Sequence, residues 1–393
     1  MKHSIDSAVN RIISDDLHSL EEASRIAIET SLRINEGERV LIVTNPPIDS
    51  YRIALSLHNA VADAGGTPIM IVQPVKTQLD FADDAVIQAL SSSPDVCISI
   101  SAGKLGKDRF AIAQPYLLDG RSYDHIFDYL LACNKMRAFW SPMATQDMFA
   151  RTVPIDYARL SEEVRAVKAV LDEAVGLRIV SPGGTDLYIG LKGRTAFVDD
   201  GDISEAGSGG NLPAGEAFIS PELGTSTGRI VFDGSISLNE GDRIISEPVT
   251  VYVENGFVQR IEGDEEARLL EASIRYGEEK AVSFEKEGRL PEGKGDIYKR
   301  NARNLGELGV GLNPAAMISG SMLEDEKAYR TCHIAIGSNY DEDAQALIHL
   351  DCLVREPTIT ADMPDGEKRV LLEKGELNVK NINASGRGTD ARA

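Results

Sequence analysis

Two histidines and an aspartate in the C-terminal half of the sequence have the residue types and spacing of metal ligands. His349 and Asp351 lie two residues apart in an apolar run, so their side chains leave the same face of an extended strand. His333 lies in a similar run that ends at Gly337. Imidazole and carboxylate groups that converge from two strands can hold a divalent cation when further carboxylates complete the site.

Two glutamates are candidates for those further carboxylates. Glu216 and Glu307 stand among glycine, proline and apolar residues, in the segments 211–221 and 304–314. A carboxylate is costly to bury without a partner, and a metal ion is one way to offset that cost. Two other interpretations stay open from the sequence alone: Glu216 as an acid in the first turn of a helix, and Glu307 as the partner of Arg303.

Together these residues form a donor set of carboxylates and imidazoles. The set suits one or two divalent cations of the zinc, cobalt or manganese type. Two metal ions at close range can activate a bridging water and polarise a carbonyl group, which is the chemistry of a hydrolase. The five candidate ligands are Glu216, Glu307, His333, His349 and Asp351.

Three residues beside these ligands have other predicted roles. Tyr340 lies in an acidic loop, 338–347, and can donate a hydrogen bond to an oxyanion, while the charges of the loop are expected to face solvent. Cys332 and Cys352 each point away from the neighbouring histidine when the chain is extended. We expect these and the other two cysteines to be buried free thiols of a cytoplasmic protein.

The composition is that of a globular protein with a strong acidic excess. A chain of 393 residues suffices for two domains with sizeable cores. The 62 acidic and 41 basic residues give a net charge of −21, which disfavours nucleic acid as a partner because phosphates bind to basic faces. The sequence contains no apolar run of membrane-spanning length and begins with polar residues unlike a secretory signal, so we expect no membrane partner.

Alternating helical and strand patterns in the first half predict an α/β domain with a parallel sheet covered on both faces. The segment after the first strand lacks the glycines of a phosphate-binding turn, so this domain need not bind a nucleotide. The predicted strands are 39–44, 67–72 and 95–101, and the predicted helices are 20–31, 48–65 and 82–91.

Strand and turn patterns in the second half predict an α+β domain rich in antiparallel strands. A helix at 161–177, capped by Ser161, ends the first domain. We therefore expect an N-terminal domain at 1–175, a metal-binding catalytic domain at 176–380 and a disordered tail at 381–393. The predicted strands are 177–181, 187–191, 195–198, 228–232, 243–253 and 257–262, with a helix at 264–276.

A serine-hydrolase motif, G-x-S-x-G, occurs at 224–228. A serine nucleophile in this motif needs a strand before it and a helix after it. Here Pro221 and Glu222 precede the motif and a strand pattern follows it, so we interpret the segment as a turn. A non-enzymatic binding module is a further alternative, but it leaves the convergence of so many ligand-type residues unexplained.

Five motifs, in order along the chain, resemble those of the M29 metallo-aminopeptidases of the aminopeptidase T type. They are NLPAGE, GELG-x-G-x-NP, EDEK, H-I-A-x-G and H-x-D, and EGERVLIV extends the resemblance into the N-terminal domain. The resemblance implies release of N-terminal amino acids from peptides with broad specificity, two divalent metal ions and a homodimer. By motif it places metal ligands at Glu216, Glu307, His333, His349 and Asp351 and a catalytic tyrosine at Tyr340.

The C-terminal domain also resembles the 2,5-dihydroxypyridine 5,6-dioxygenases, ring-cleaving enzymes that use a single iron held by two histidines and an aspartate. His349 and Asp351 match one histidine and the aspartate, whereas the position of the other histidine holds Glu307. Those enzymes lack a counterpart of Glu216. Both differences favour the two-metal peptidase, and a one-metal site of Glu307, His349 and Asp351 stays open as the alternative.

Overall fold

A computed structural model of the protein describes residues 17–77 and 80–378. The predicted disordered tail, 381–393, lies outside the described residues. Within those ranges, no helix is both long and apolar enough to cross a membrane. The helices are α1 (His18–Ile26), continued by a π-helical turn (Ala27–Ser31), α2 (Ile48–Asp63), α3 (Asp84–Ser91), α4 (Arg109–Ala113), α5 (Ile126–Ala132), α6 (Gln146–Thr152), α7 (Tyr157–Glu173), α8 (Glu265–Lys286), α9 (Lys294–Asn301) and α10 (Met322–Asp325).

Strands occupy much of the remaining described chain. Those up to residue 199 are β1 (Arg39–Thr44), β2 (Thr67–Val72), β3 (Val96–Ile100), β4 (Tyr116–Leu118), β5 (Arg121–Tyr123), β6 (Arg137–Trp140), β7 (Gly176–Val180), β8 (Asp186–Gly190) and β9 (Phe197–Asp199). Those that follow are β10 (Gly209–Asn211), β11 (Glu216–Ile219), β12 (Thr227–Phe232), β13 (Ser235–Ile236), β14 (Arg243–Ile244), β15 (Val249–Glu254), β16 (Phe257–Glu262), β17 (Leu305–Gly311), β18 (Thr331–Gly337), β19 (His349–Arg355), β20 (Thr358–Asp362), β21 (Lys368–Glu373) and β22 (Glu376–Leu377).

The described chain divides into two compact units. The first runs to Tyr157 and also includes Gly201–Ala214, and the second comprises Ala158–Asp200 and the chain from Gly215 onwards. The sequence predicted a single domain boundary at residue 175. In the structure the boundary between the two units lies after Tyr157, before most of α7, and the chain returns once to the first unit at Gly201–Ala214.

The first unit contains the predicted parallel sheet, with strand order β10-β6-β3-β1-β2. Val96–Ile100 is buried along its whole length, as expected for a central strand of such a sheet. Asn45, directly after β1, is also buried, and its side-chain amide donates to Gln73 O at 2.9 Å and accepts from Ala102 N at 2.8 Å. This turn is therefore held by the protein's own backbone, in agreement with the absence of a phosphate-binding sequence.

The second unit contains two sheets whose strand pairs are antiparallel. One has the order β16-β15-β12-β8-β7-β20-β21-β22, and the other has the order β14-β13-β19-β18-β17-β11-β9. Together with the parallel sheet of the first unit, they confirm the predicted fold class of an α/β domain followed by an α+β domain rich in antiparallel strands. The second of these sheets carries all five candidate ligands.

Three local predictions of helix and strand bounds were wrong. The helix predicted to begin at Ser161 begins four residues earlier, and the Ser161 hydroxyl donates to Asp200 at 2.7 Å instead of capping the helix. The strand predicted at 243–253 is broken into β14 and β15, since Pro248 lacks a backbone donor for the sheet. The helix predicted at 264–276 continues to Lys286.

Two other predictions are confirmed. Ser226 of the G-x-S-x-G motif is fully buried in a turn that leads into β12, so the arrangement required for a serine nucleophile is absent from this described segment. The four cysteines are free thiols, and all but Cys133, which is partly exposed, are buried as predicted. Cys332 and Cys352 are buried on the face of their strands opposite to the histidines.

Candidate metal centre

The candidate ligands project from one face of the sheet formed by β9, β11, β17, β18 and β19. Glu216 pairs in register with Gly311, Gly309 with His333, and Ala335 with Asp351. Because alternate residues of a strand share a face, these positions lie together, and the intervening apolar residues point to the other side. Those intervening residues, which are buried, are Leu308, Val310, Cys332, Ile334, Ile336, Leu350, Cys352 and Val354.

Two glycines on the same face allow neighbouring groups to approach the strand closely. A Cβ atom added at Gly309 would lie 2.1 Å from Nε2 of His333, so the imidazole lies directly over the glycine. A Cβ at Gly311 would lie 2.2 Å from the carbonyl oxygen of Ala328. The glycines of GELGVG therefore have a steric role that the sequence analysis did not assign to them.

Glu307 lies at the middle of the cluster, with one carboxylate oxygen facing each histidine. Its Oε1 is 3.1 Å from Nε2 of His333, and its Oε2 is 3.2 Å from Nε2 of His349. The side chain is 3% exposed in the folded chain, so these contacts take the place of water. The two outer carboxylates complete the arrangement: Glu216 Oε2 is 3.5 Å from His333 Nε2, and Asp351 Oδ1 is 3.3 Å from His349 Nε2.

The five residues form two overlapping groups that each have the spacing of a metal site. One group is Glu216, Glu307 and His333, and the other is Glu307, His349 and Asp351, and in both the potential ligand atoms lie within 4.8 Å of one another. Glu307 belongs to both groups. The structure thus brings together every candidate ligand predicted from the sequence and gives Glu307 the position shared by both groups.

The side chain of His349 is oriented by the backbone of the preceding loop. Its Nδ1 donates to the carbonyl oxygen of Ser338 at 2.9 Å, which directs Nε2 at Glu307 and Asp351. Such a hydrogen bond from the non-ligating nitrogen is typical of metal-binding histidines. His333 differs, because its buried Nδ1 has no hydrogen-bond partner among the described residues.

Both alternative interpretations of the glutamates are wrong. Glu216 begins strand β11 and is not in the first turn of a helix. Arg303 pairs with Glu271 and Glu278 on α8, at 2.7 and 2.6 Å, and not with Glu307. Glu216 is therefore not a helix first-turn acid, and Glu307 is not the partner of Arg303.

A fully buried lysine, which sequence reasoning missed, adjoins the cluster. Lys327 Nζ lies 2.6 Å from Glu216 Oε1, 2.6 Å from Glu326 Oε1 and 3.5 Å from Asp199 Oδ2. Burial alone would lower the pKa of Lys327, but the three carboxylates outweigh it and raise the pKa well above the ordinary value. Lys327 is therefore a permanent cation that holds one oxygen of Glu216 and leaves the other directed at His333.

The only sequence signal for this lysine was the EDEK motif, whose first two acids have another function. Glu324 accepts a hydrogen bond from Met317 N at 2.8 Å, and Asp325 accepts one from Ser319 N at 2.7 Å. These contacts fix the segment that precedes Lys327. The first two residues of EDEK thus fix this segment, and the last two, Glu326 and Lys327, lie beside the candidate ligands.

The cluster contains more acidic groups than its single lysine can neutralise. Burial raises the pKa of Asp199 to about 7 even though Lys327 is close, and burial raises the pKa of Glu326 to about 8 with a further contribution from Glu216, so both acids take up protons near neutral pH. With all five acids ionised and both imidazoles neutral, as would be needed to bind cations fully, five carboxylates would surround one ammonium, an excess of four negative charges. The five carboxylates are those of Asp199, Glu216, Glu307, Glu326 and Asp351.

The donor atoms fit divalent metal ions. Glu216 Oε2, Asp199 Oδ2 and Asp351 Oδ1 are buried and accept no hydrogen bond from the described residues. A buried carboxylate oxygen without a hydrogen bond is costly, and a bound cation removes that cost. Mixed oxygen and imidazole donors suit zinc, cobalt and manganese, so the site supports a metal cofactor.

Tyr340 lies beside the cluster, as predicted. Its ring meets that of His349 edge to face, with centroids 5.4 Å apart, and the residue is 53% exposed. Desolvation and the charges of Glu307 and Asp351 raise the pKa of Tyr340, so the group is a neutral phenol that can donate a hydrogen bond. The acids of its loop are not simply solvated, because Arg194 lies 2.8 Å from Asp343.

The fold and the buried donor set define a metal-binding enzyme. The family model described as NicX: 2,5-dihydroxypyridine 5,6-dioxygenase matches residues 141–363, more than half of the chain. The chain therefore belongs to that family. The 2,5-dihydroxypyridine 5,6-dioxygenase of Pseudomonas putida is 26% identical over 130 residues, which span 33% of this chain and 37% of that relative.

Two solved structures share the fold. The structure of 2,5-dihydroxypyridine dioxygenase from Pseudomonas putida KT2440 has a TM-score of 0.67 at 18% identity, covering 91% of this chain and 96% of that one. Wild-type AmpT from Thermus thermophilus has a TM-score of 0.60 at 18% identity, covering 92% and 99%. The M29 resemblance is thus supported in its fold, whereas the matching family model is that of the dioxygenases.

Replacing Gly309 with alanine tests the steric role of this position. The new Cβ would displace the His333 ring, so we expect metal affinity to fall by about 10- to 100-fold and stability by about 1–3 kcal/mol. Calorimetric titration with zinc and urea unfolding measure the two effects. Gly288→Ala is the control for metal affinity: a Cβ there meets nothing within 4 Å, and although the positive φ of 71° makes alanine destabilising, zinc affinity should not change. Unchanged zinc affinity in Gly309→Ala would show that the His333 ring does not need this space.

The metal-free protein should lose stability in mildly alkaline solution. Burial alone would lower the pKa of His333, but the hydrogen bond with Glu307 and the nearby carboxylates raise it to about 9. A raised histidine pKa stabilises the fold below the unfolded value of about 6.5, and this contribution is lost as the pH rises through about 9. Urea midpoints at about pH 7 and about pH 9.5 measure the loss. A metal-free His333→Asn protein with an equally large drop would refute the assignment to His333.

Removing the buried lysine should destabilise the metal-free protein strongly. In Lys327→Met, the carboxylates of Asp199, Glu216 and Glu326 lose their common cation, and breaking a buried ion pair typically costs about 3–5 kcal/mol. Urea unfolding of the metal-free protein measures the change. The control is Lys368→Met, which removes an exposed lysine 3.5 Å from Asp362. Equal stability of the two variants would contradict the proposed importance of the buried cation.

Proposed function

We propose that this protein is an aminopeptidase that uses two divalent metal ions to hydrolyse the first peptide bond of peptides. The observation that carries the proposal is the pair of ligand groups that share Glu307, each with one histidine and two carboxylates. With one carboxylate oxygen directed at each group, Glu307 would help to hold an ion in both of them. When bound, two such ions activate a water molecule and polarise the carbonyl of the scissile bond.

The charge of the site can accommodate two ions. Two divalent cations carry four positive charges, which equals the excess of carboxylates over Lys327 when all five acids are ionised. With one divalent ion, protons on Asp199 and Glu326, whose pKa values are raised to about 7 and 8, would offset the remaining charge.

The chain's own groups have separable roles in this proposal. Lys327 orients Glu216 through Oε1, and the Ser338 carbonyl orients His349 through Nδ1. Tyr340, as a neutral phenol beside His349, donates a hydrogen bond to the oxygen that becomes negative during hydrolysis. The homodimer and the cytoplasmic location predicted for the protein remain proposals.

Ring cleavage by a single iron is the second candidate function, and membership of the dioxygenase family favours it. Non-haem iron oxygenases generally use two histidines and one carboxylate as ligands. Among the described residues, neither ligand group contains two histidines. The donor set therefore favours the peptidase, whereas the family match favours the dioxygenase.

One set of measurements separates the two candidates. Metal-stripped protein is reloaded with zinc, cobalt, manganese or iron, its metal content is measured, and it is incubated with a mixed peptide pool or, in air, with 2,5-dihydroxypyridine. We expect two metal equivalents per chain and loss of single N-terminal residues, detected by mass spectrometry. One equivalent of iron with oxygen uptake and an untouched peptide pool would replace the peptidase with the dioxygenase.

Variants assign the activity to the cluster. Glu307→Gln and Asp351→Ala should lower peptide hydrolysis to below about one hundredth of the original rate, because loss of a ligand exceeds the effect of losing its supporting contacts. Ser226→Ala is the control, since its hydroxyl is buried without a hydrogen-bond partner in the described structure. Loss of activity in Ser226→Ala with retention in Asp351→Ala would move the chemistry to the serine motif.

A further inference from the structure

Three aromatic side chains form a cluster at the edge of the candidate metal centre. The Phe197 and Phe218 rings are stacked, with centroids 5.3 Å apart and an interplanar angle of 18°. The ring of Tyr340 lies 5.0 Å from that of Phe218 and 6.1 Å from that of Phe197. We call Phe197, Phe218 and Tyr340 the ring cluster.

The sheet register places the ring cluster on the same face as the ligands. Phe218 follows Glu216 by two residues on β11, and its partner in the neighbouring strand β9 is Phe197. On its other side, Phe218 pairs with Gly309, which in turn pairs with His333. Phe218, Gly309 and His333 are therefore neighbours across three strands. Because Gly309 has no side chain, no side chain at its position separates Phe218 from His333.

The ring cluster is open to solvent although its members are strongly apolar. Phe197 is 38% and Tyr340 is 53% exposed, while Phe218 is half-buried. Strand β9 is the edge of its sheet, so these rings do not belong to the buried core. Exposed contiguous aromatic surface beside a polar site is typical of a ligand-binding surface.

The loop that carries Tyr340 is held in place before any ligand arrives. Arg194 pairs with Asp343 at 2.8 Å and with Asp341 at 3.7 Å. Within the loop, the Asn339 side chain donates to Asp343 and accepts from Ala344 N at 3.1 Å. A surface fixed in this way loses little conformational freedom when it binds a ligand.

We propose that the ring cluster binds the side chain of the substrate's first residue and makes the enzyme select peptides that begin with an aromatic or large aliphatic residue. This proposal rests on the proposed peptidase function. Aromatic rings attract flat or branched apolar groups through edge and stacking contacts at centroid distances of about 4.5–7 Å. Tyr340 connects the ring cluster to the ligand His349, so an apolar side chain on the rings would place its own backbone near the metals.

The test compares dipeptides that differ only in the first residue, Phe-Ala, Leu-Ala and Gly-Ala, with metal-loaded protein. We expect kcat/KM for Phe-Ala and Leu-Ala to exceed that for Gly-Ala by about 10- to 200-fold, the range typical of apolar pockets. In Phe218→Ala and Phe197→Ala, this ratio should fall about tenfold or more. Phe218→Leu, which keeps apolar bulk without a ring, should give an intermediate ratio if the alanine variants fold poorly.

The matched control is Tyr276→Ala, which removes a ring of similar exposure on α8. It should leave the ratio unchanged. If the Phe218 and Phe197 variants lose activity equally on all three dipeptides, the rings only support the sheet edge and the proposal is overturned. The proposal is also overturned if the unaltered protein shows no preference among the three dipeptides.

A binding measurement separates failure of this proposal from failure of the peptidase function. Calorimetry with L-phenylalanine and L-alanine is run on the metal-loaded protein and on Phe218→Ala. If no dipeptide is hydrolysed but L-phenylalanine binds at least about tenfold more tightly than L-alanine only in the unaltered protein, the peptidase function fails and apolar recognition stands. If neither amino acid is preferred, the ring cluster is not a recognition site.

Discussion

The buried carboxylate of Glu307, shared between two histidines, is the interaction on which the rest of the site depends. It is surrounded by two further ligand carboxylates, and by two acids that meet Lys327, in a part of the sheet from which water is largely removed. A single lysine cannot neutralise such a group when all its acids are ionised. The fold therefore concentrates acidic groups at one place, where they take up protons in the metal-free protein and could hold cations.

The sheet meets this constraint with residues that have little or no side chain. Gly309 leaves space for the imidazole of His333 and Gly311 for the backbone of Ala328, while the opposite face of the same strand packs Leu308 and Val310 in the core. One strand thus combines a tightly packed side with an open side. The rigidity of the core face keeps the donor atoms on the other face within metal-binding distance of one another.

Local patterns in the sequence were enough to predict the fold class and to identify the candidate ligands that the structure brings together. The two-residue spacing of His349 and Asp351 fixed their common face, since strand periodicity is a local property. The lysine could not be predicted in the same way, because Lys327 and Glu216 are 111 residues apart in the chain and meet only after β11 and β17 have paired. The start of α7 was misplaced for a related reason: Ser161 has the residue type of a cap, but its hydroxyl bonds to the distant Asp200.

The path of the chain between Asp199 and Glu216 limits which parts of the protein can be exchanged by recombination. These residues are register partners on neighbouring strands, yet the segment between them, Gly201–Ala214, belongs to the other unit. Neither unit is therefore a continuous stretch of sequence. A single recombination crossover, in evolution or in the laboratory, therefore cannot replace one whole unit by that of a relative. It would separate the two paired strands that hold Asp199 opposite Glu216.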